Sequence, residues 1–291
     1  MGFDTAYEAI NEGEDTGHRW AYGTGFTDPL AGVDTTLPAD VDGADLSIYC
    51  LMLGDDALIM SHRLQQWLAR APELEEETAL ANIALDLLGQ ARLLLTRAGS
   101  IDGRSEDDLA FGRGEREFRN VRLAEVTDAD FAGLIARLLA FSIWRLALFE
   151  RLRSSRDPVL AAVAALGVRE LTYHRDYAAQ WLVRLGDGTE YSRSRMVAGL
   201  AAVAPLVPEL FEVSEVEQRL ADVAVDPSGV RAEFFSVLDA ALAAAGLSWP
   251  DTPGLAGVGG QAGRDGVHTE AMGYLLAELQ SVARSMPDAT W

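Results

Sequence analysis

The sequence predicts an all-α protein, an antiparallel bundle of four long helices with additional helices toward the C-terminus. Three observations carry this. From Asp45 onward, apolar residues recur at steps of three and four, the spacing that turns one face of a helix to a core. Helix punctuation separates these runs, at Pro72, Gly99, Asp157-Pro158 and Gly186. Val and Ile are scattered rather than paired across hairpin turns, so no strand pattern competes.

Residues 1–44 read as an irregular N-terminal extension, rich in Gly, Asp, Thr and Pro, with Trp20, Tyr22 and Phe26 as its only anchors. Residues 45–291 read as a single helical domain. Its first helix shows Leu46, Tyr49, Cys50, Leu53, Ala57, Met60, Leu64 and Trp67 on one face and stops at Pro72. The second starts in Glu73, Glu75, Glu76 and Glu77, where the helix dipole favours negative charge, and is predicted to close at Gly99. Residues 99–127 form a polar connection. The third helix spans roughly Asp130–Ser154, and its stretch Leu138–Trp144 has no charge on any side, so it is predicted to be buried all round. Asp157-Pro158 opens the fourth, which runs to about Leu185. A fifth covers about Glu190–Phe211, bent by Pro205 and Pro208, and a sixth about Val230–Ala245. A flexible loop, Gly254–Gly266, holds six glycines and leads to a last helix, about His268–Met286. Four helices of about 25 residues are each about 38 Å long and pack most simply as an antiparallel bundle. The long 99–127 connection suits the crossover of a ferritin-like topology.

The second helix is apolar around most of its girth, leaving one polar stripe, Asn82, Asp86 and Gln90. Such a stripe is costly to bury without partners, so it is predicted to face the bundle interior or a subunit interface. On the fourth helix, Glu170 and His174 lie four apart with Tyr173 and Tyr177 nearby. Carboxylates and imidazoles on bundle helices are the materials of a di-iron site, which takes a Glu from each of two helices and Glu-x-x-His from each of the other two. That set is incomplete here. Asp86-Leu87-Leu88-Gly89 has no histidine, and Glu170 to His174 is spaced by four instead of three. Asp55, Asp56, His62 and Glu150 do not complete it. No metal is therefore expected, and Asp55, Asp86, Gln90, Glu170 and His174 stand as candidates for a vestigial site. A buried hydrogen-bond network or ion pair is the plainer reading of each. Asp265-x-x-His268 crosses the glycine loop, and Gly257-Val258-Gly259-Gly260 follows no strand, so neither reads as a ligand motif. Catalytic and cofactor-binding residues are not found.

Several segments resemble the C subunit of the phenylacetyl-CoA epoxidases, also called phenylacetyl-CoA oxygenases. They are Tyr49–Ile59, Ala79–Arg92, Glu106–Phe111, Glu117–Asn120, Trp181–Thr189 and Gly266–Glu270. The resemblance runs from about residue 46 to the C-terminus and implies a ferritin-like fold. It implies a non-catalytic protein that stabilises a homologous A subunit, the latter holding a di-iron centre and the acyl-CoA. It also implies accessory subunits and a reductase with NADPH, flavin and iron–sulfur groups, and no cofactor in this chain. The complex so implied converts phenylacetyl-CoA to its ring 1,2-epoxide with O₂. Two other readings stay open. In one the chain binds iron itself through Asp55, Asp86, Glu170 and His174. In the other it is a self-assembling helical protein, a homo-oligomer without an enzyme partner.

Composition bounds the partners. The net charge is −21, so nucleic acid is a poor partner. No uncharged apolar run reaches the roughly 20 residues of a membrane helix, and the acidic start shows no signal peptide, so a cytoplasmic location is expected. The single cysteine, Cys50, falls on an apolar face and reads as core. All 24 basic residues are arginine. Excess acid without lysine fits a GC-rich genome or a high-salt habitat. If habitat is the cause, the thermal unfolding midpoint will rise with KCl into the molar range as self-repulsion is screened. A flat or falling midpoint contradicts it.

Overall fold

The structure is a computed structural model that describes residues 29–286. The anchors Trp20, Tyr22 and Phe26 lie outside the described residues. Residues 29–33 form a turn in which the Val33 N–H donates to the Leu30 carbonyl at 2.9 Å. From Asp34 the chain forms a separate compact unit, and it is all-helical. Its helices are α1 (Gly43–Gln65), α2 (Leu74–Asp102), α3 (Arg122–Glu125), α4 (Phe131–Leu152), α5 (Pro158–Gly186), α6 (Glu190–Val203), α7 (Glu215–Arg219), α8 (Arg231–Ala244), α9 (Glu270–Leu279) and α10 (Ser281–Ser285). A lone bridge between Val258 and Gln261 is the only β pairing among the described residues. The bundle is two helical hairpins, α1–α2 and α4–α5, joined where α2 meets α5.

The four long helices form where the periodicity places them, and side-chain caps set three of their starts. Asp42 accepts the Asp45 N–H at the head of α1, Asp130 the Gly133 N–H at α4, and Asp157 the Leu160 N–H at α5. Leu138–Trp144 is buried all round, as its lack of charge predicts. Cys50 is fully buried, and burial pushes its thiol pKa up.

Several boundaries differ from those the sequence predicts. α1 ends at Gln65, before Pro72, and the chain turns with Ala69 at φ +66°. α2 continues through Gly99 to Asp102 and is closed by Gly103 at φ +81°. Gly99 serves close packing instead: a Cβ there would lie 2.0 Å from the Arg104 carbonyl oxygen. The fifth helix stops at Val203, and Pro205 and Pro208, which cannot donate, sit in two short 3₁₀ turns. The last helix breaks at Gln280, whose side chain donates to the Ala110 and Arg113 carbonyls.

The connection and the glycine loop are fastened by buried ion pairs. Asp55 and Asp56, both fully buried on α1, face different arginines. Arg113 grips Asp55 with two donors and stacks on Phe118, and the Arg119 N–H adds a third bond to Asp55 at 2.8 Å. Arg264 grips Asp56 through Nη1 at 2.9 Å and Nη2 at 2.8 Å, and the Val121 N–H donates to Asp56 at 2.8 Å. Arg122 pairs with Glu209 at 2.6 Å and also donates to the Leu255 and Ala256 carbonyls. The loop expected to be flexible is thus pinned at several points.

Among the described residues, two helices are long and apolar enough to cross a membrane by length and composition, contrary to the expectation that no run suffices. They are α2 and α4, with peak mean hydropathies of 1.2 and 1.6. The charges interrupting α4, Arg137 and Arg145, are themselves buried and partnered, and 89% of its apolar stretch is enclosed by protein.

Replacing Arg264 by alanine would strand Asp56 without its cation. Such losses cost about 3–5 kcal/mol. Urea unfolding of Arg264→Ala should show a loss of that size, with much of it regained in Arg264→Met with Asp56→Leu. A loss below about 1 kcal/mol contradicts the fastening role.

Candidate functional site

The polar groups of the bundle gather on α2, α4 and α5. The helices α2 and α5 run antiparallel, so that Gln90 faces Glu170 and Asp86 faces His174. Gln90 is buried and works in both directions. Its Nε2 donates to Glu170 Oε2 at 2.8 Å, and its Oε1 accepts from Arg145 Nε at 2.9 Å. Arg145 comes from the middle of α4 and is fully buried. It also donates to the Leu53 carbonyl of α1 at 3.1 Å and lies 4.4 Å from the Phe149 ring centroid. One guanidinium thereby touches three helices directly and α5 through Gln90. Gly167 makes room for this: a Cβ there would meet the Phe149 ring at 2.8 Å and Gln90 Nε2 at 3.1 Å. Burial pulls the Arg145 pKa down to about 10, with Asp56 acting the other way. At pH 7 the side chain stays charged, and its hydrogen bonds and aromatic neighbours offset part of the desolvation cost.

His174 is fully buried, and its Nε2 lies 3.0 Å from Asp86 Oδ2. Burial lowers its pKa, and the Asp86 bond and charge oppose this without cancelling it. The imidazole is therefore neutral at pH 7, with Nε2–H donating to Asp86. Glu170 is half-buried, and burial raises its pKa against the Gln90 bond.

The candidate residues fall into separate groups. Asp86 with His174, and Gln90 with Glu170, lie side by side. Glu170 and His174 do not pair with each other along α5, because each bonds across to α2. Asp55 is held by Arg113, and burial raises its pKa despite that cation. Asp56 is held by Arg264, Glu150 is exposed and pairs with Arg153, and His62 is half-buried. The polar stripe grades outward, from buried Gln90 through half-buried Asp86 to exposed Asn82. Among the described residues, no group of three or more His, Cys, Asp or Glu is placed to hold a metal ion. Arg145 is the residue that sequence reasoning misses. Its signal is two arginines, Arg137 and Arg145, within the largely apolar stretch 131–149, where a buried charge calls for hydrogen-bond acceptors.

A second polar knot involves His268. Its Nδ1 lies 2.7 Å from Glu125 Oε2 and its Nε2 3.2 Å from the Phe118 carbonyl. Both ring nitrogens face acceptors, so the doubly protonated form satisfies both. Burial lowers its pKa, but the Glu125 bond and charge and the Phe118 carbonyl outweigh burial, and the net direction is upward.

Residues 33–291 match the sequence profile of the family described as "Phenylacetic acid catabolic protein". Over 249 residues the chain is 41% identical to the C subunit of 1,2-phenylacetyl-CoA epoxidase from Escherichia coli (strain K12). That alignment covers 84% of this chain and 99% of the relative.

The two histidines should give opposite pH signatures. The folded pKa of His268 lies above its unfolded value, so its contribution is full below about pH 6.5 and lost as pH rises through the folded value. The folded pKa of His174 lies below, so its cost appears as pH falls below about 6.5. Hydrogen bonds to charged groups are worth about 1.5–3 kcal/mol. His268→Gln should lose stability of that order at pH 5.5 and less at pH 8.5. His174→Gln should flatten the acid limb. Urea midpoints across this range check both, and equal losses at the two pH values would contradict the His268 assignment.

Proposed function

The chain belongs to the phenylacetic acid catabolic protein family, and on that premise we propose that it is the non-catalytic C subunit of a multicomponent phenylacetyl-CoA 1,2-epoxidase. It pairs with and stabilises a homologous A subunit, which holds the di-iron centre and the acyl-CoA. Accessory subunits and a reductase using NADPH, flavin and an iron–sulfur group complete the complex, in the cytoplasm. One oxygen atom of O₂ enters the ring 1,2-bond, the other leaves as water, and NADPH supplies two electrons.

The similarity to a C subunit over 99% of that relative's length carries this reading. The donor set at the bundle's centre supports it. A di-iron site needs Glu from two helices and Glu-x-x-His from two more. Here α2 offers Asp86 and Gln90, α4 offers the cation Arg145, and α5 offers Glu170 and His174. A fixed guanidinium among these groups repels divalent cations, so the residues do not fit a di-iron centre. The role left to the chain is scaffolding, and no step of the oxidation runs through its side chains.

Co-expression with the A subunit of the same organism tests this. We expect a soluble complex and, with the reductase present, epoxide formation that the A subunit alone does not sustain. An A subunit equally soluble and active without this chain would overturn the proposal.

A further inference from the structure

Five carboxylates are buried among the described residues, and they are not paired alike. Asp55, Asp56, Asp157 and Glu209 each hold an arginine, which stays charged at any working pH. Glu125 holds His268 instead, and both side chains are fully enclosed. Arg63 lies close, but it donates to the Glu125 backbone carbonyl at 2.7 Å and not to the carboxylate. One buried ion pair of the five therefore depends on a proton that comes and goes near neutral pH.

The surroundings leave the ring no good neutral form. Its Nδ1 faces Glu125 Oε2 at 2.7 Å and its Nε2 the Phe118 carbonyl at 3.2 Å. Loss of either proton sets a nitrogen lone pair against an oxygen. Glu125 also accepts from Asn120 Nδ2 at 2.8 Å and from the Thr269 N–H. Asn120 Oδ1 and Thr269 Oγ1 are enclosed without a hydrogen-bond partner among the described residues, so letting water in satisfies two further groups. Glu115, Arg116, Glu117 and Asp265 line the cleft that His268 borders, and Glu270 lies exposed on α9.

His268 also sits where the chain can hinge. Upstream, Arg264 is fixed to Asp56. Gly266 follows at φ +76°, a conformation that glycine adopts without steric cost. Downstream, α9 packs on α3 and on the short turn Glu115–Glu117, and it buries Met272, Leu275 and Leu276.

We infer that residues 267–286 form a strap latched by the His268 imidazolium, closed on α3 while the ring carries both protons and hinging open at Gly266 when one is lost. The folded pKa of His268 lies above its unfolded value, so the latch is at full strength below about pH 6.5 and fails as pH rises through the folded value. The bonds from Arg63 to the Ala271 carbonyl and from Gln280 to the Ala110 and Arg113 carbonyls do not titrate. They set how far the equilibrium moves and not its direction.

Hydrogen exchange of the full chain, corrected for intrinsic rates, is compared at pH 6 and pH 8.5. Amides of α9 should lose protection at least tenfold at the higher pH, while those of α4 hold theirs. In His268→Gln the α9 amides should exchange fast at both pH values. Glu125→Gln, with no buried anion to neutralise, should also lose the pH dependence. The wild-type comparison decides the matter even where a variant fails to fold. Equal α9 protection at the two pH values would overturn the latch. So would a loss shared equally by α4, which is global unfolding, or a response that survives in His268→Gln.

Discussion

Every long helix of the bundle helps to hold one buried charge, the guanidinium of Arg145. α4 carries it, α1 gives it the Leu53 carbonyl, and α2 gives it Gln90, which in turn holds Glu170 of α5. A buried cation is costly to leave without partners, so the bonds made by Nε and Nη1 matter all the more here, because Nη2 has no hydrogen-bond partner among the described residues. The four helices must therefore meet at one register for these bonds to close. Gly167 lets α5 approach closely enough, since any side chain there would strike Phe149. The same arrangement sets a fixed positive charge at the middle of the bundle, and the proposed scaffolding role draws its support from that charge.

The pair Asp55–Asp56 extends this logic outward. Neighbours on a helix point about 100° apart. Two buried carboxylates in sequence must then be neutralised from two directions. Arg113 arrives from the crossover and Arg264 from the glycine loop. The His268–Glu125 knot and the bonds from Arg122 to the Leu255 and Ala256 carbonyls tie the same two segments together further along. The crossover, which also buries Leu109, Phe118, Val121 and Leu123, and the glycine loop are thereby fastened to the bundle by charge.

The four long helices are legible in the sequence because their periodicity, caps and Pro or Gly stops agree with one another. The departure from a di-iron motif is a matter of sequence spacing alone, since Gly89 stands where a histidine is needed and His174 is one residue late. The networks around those positions are not legible in this way. Which arginine meets which carboxylate depends on contacts such as Asp56 with Arg264, which are 208 residues apart in sequence. Pairing along one helix, as between Glu170 and His174, is visible from spacing, but the actual bonds cross to α2 and depend on the helices' relative rotation. The loop from Gly254 to Gly266 looks mobile in sequence because glycine count reports backbone freedom and says nothing of the arginines that hold its carbonyls.

If a guanidinium, not a metal, orders the middle of this bundle, metal content tests it most directly. The untagged chain, loaded anaerobically with ferrous iron and desalted, should retain almost none. About two irons per chain, the number a bundle di-iron site holds, would contradict this and return Asp55, Asp86, Glu170 and His174 to the role of ligands.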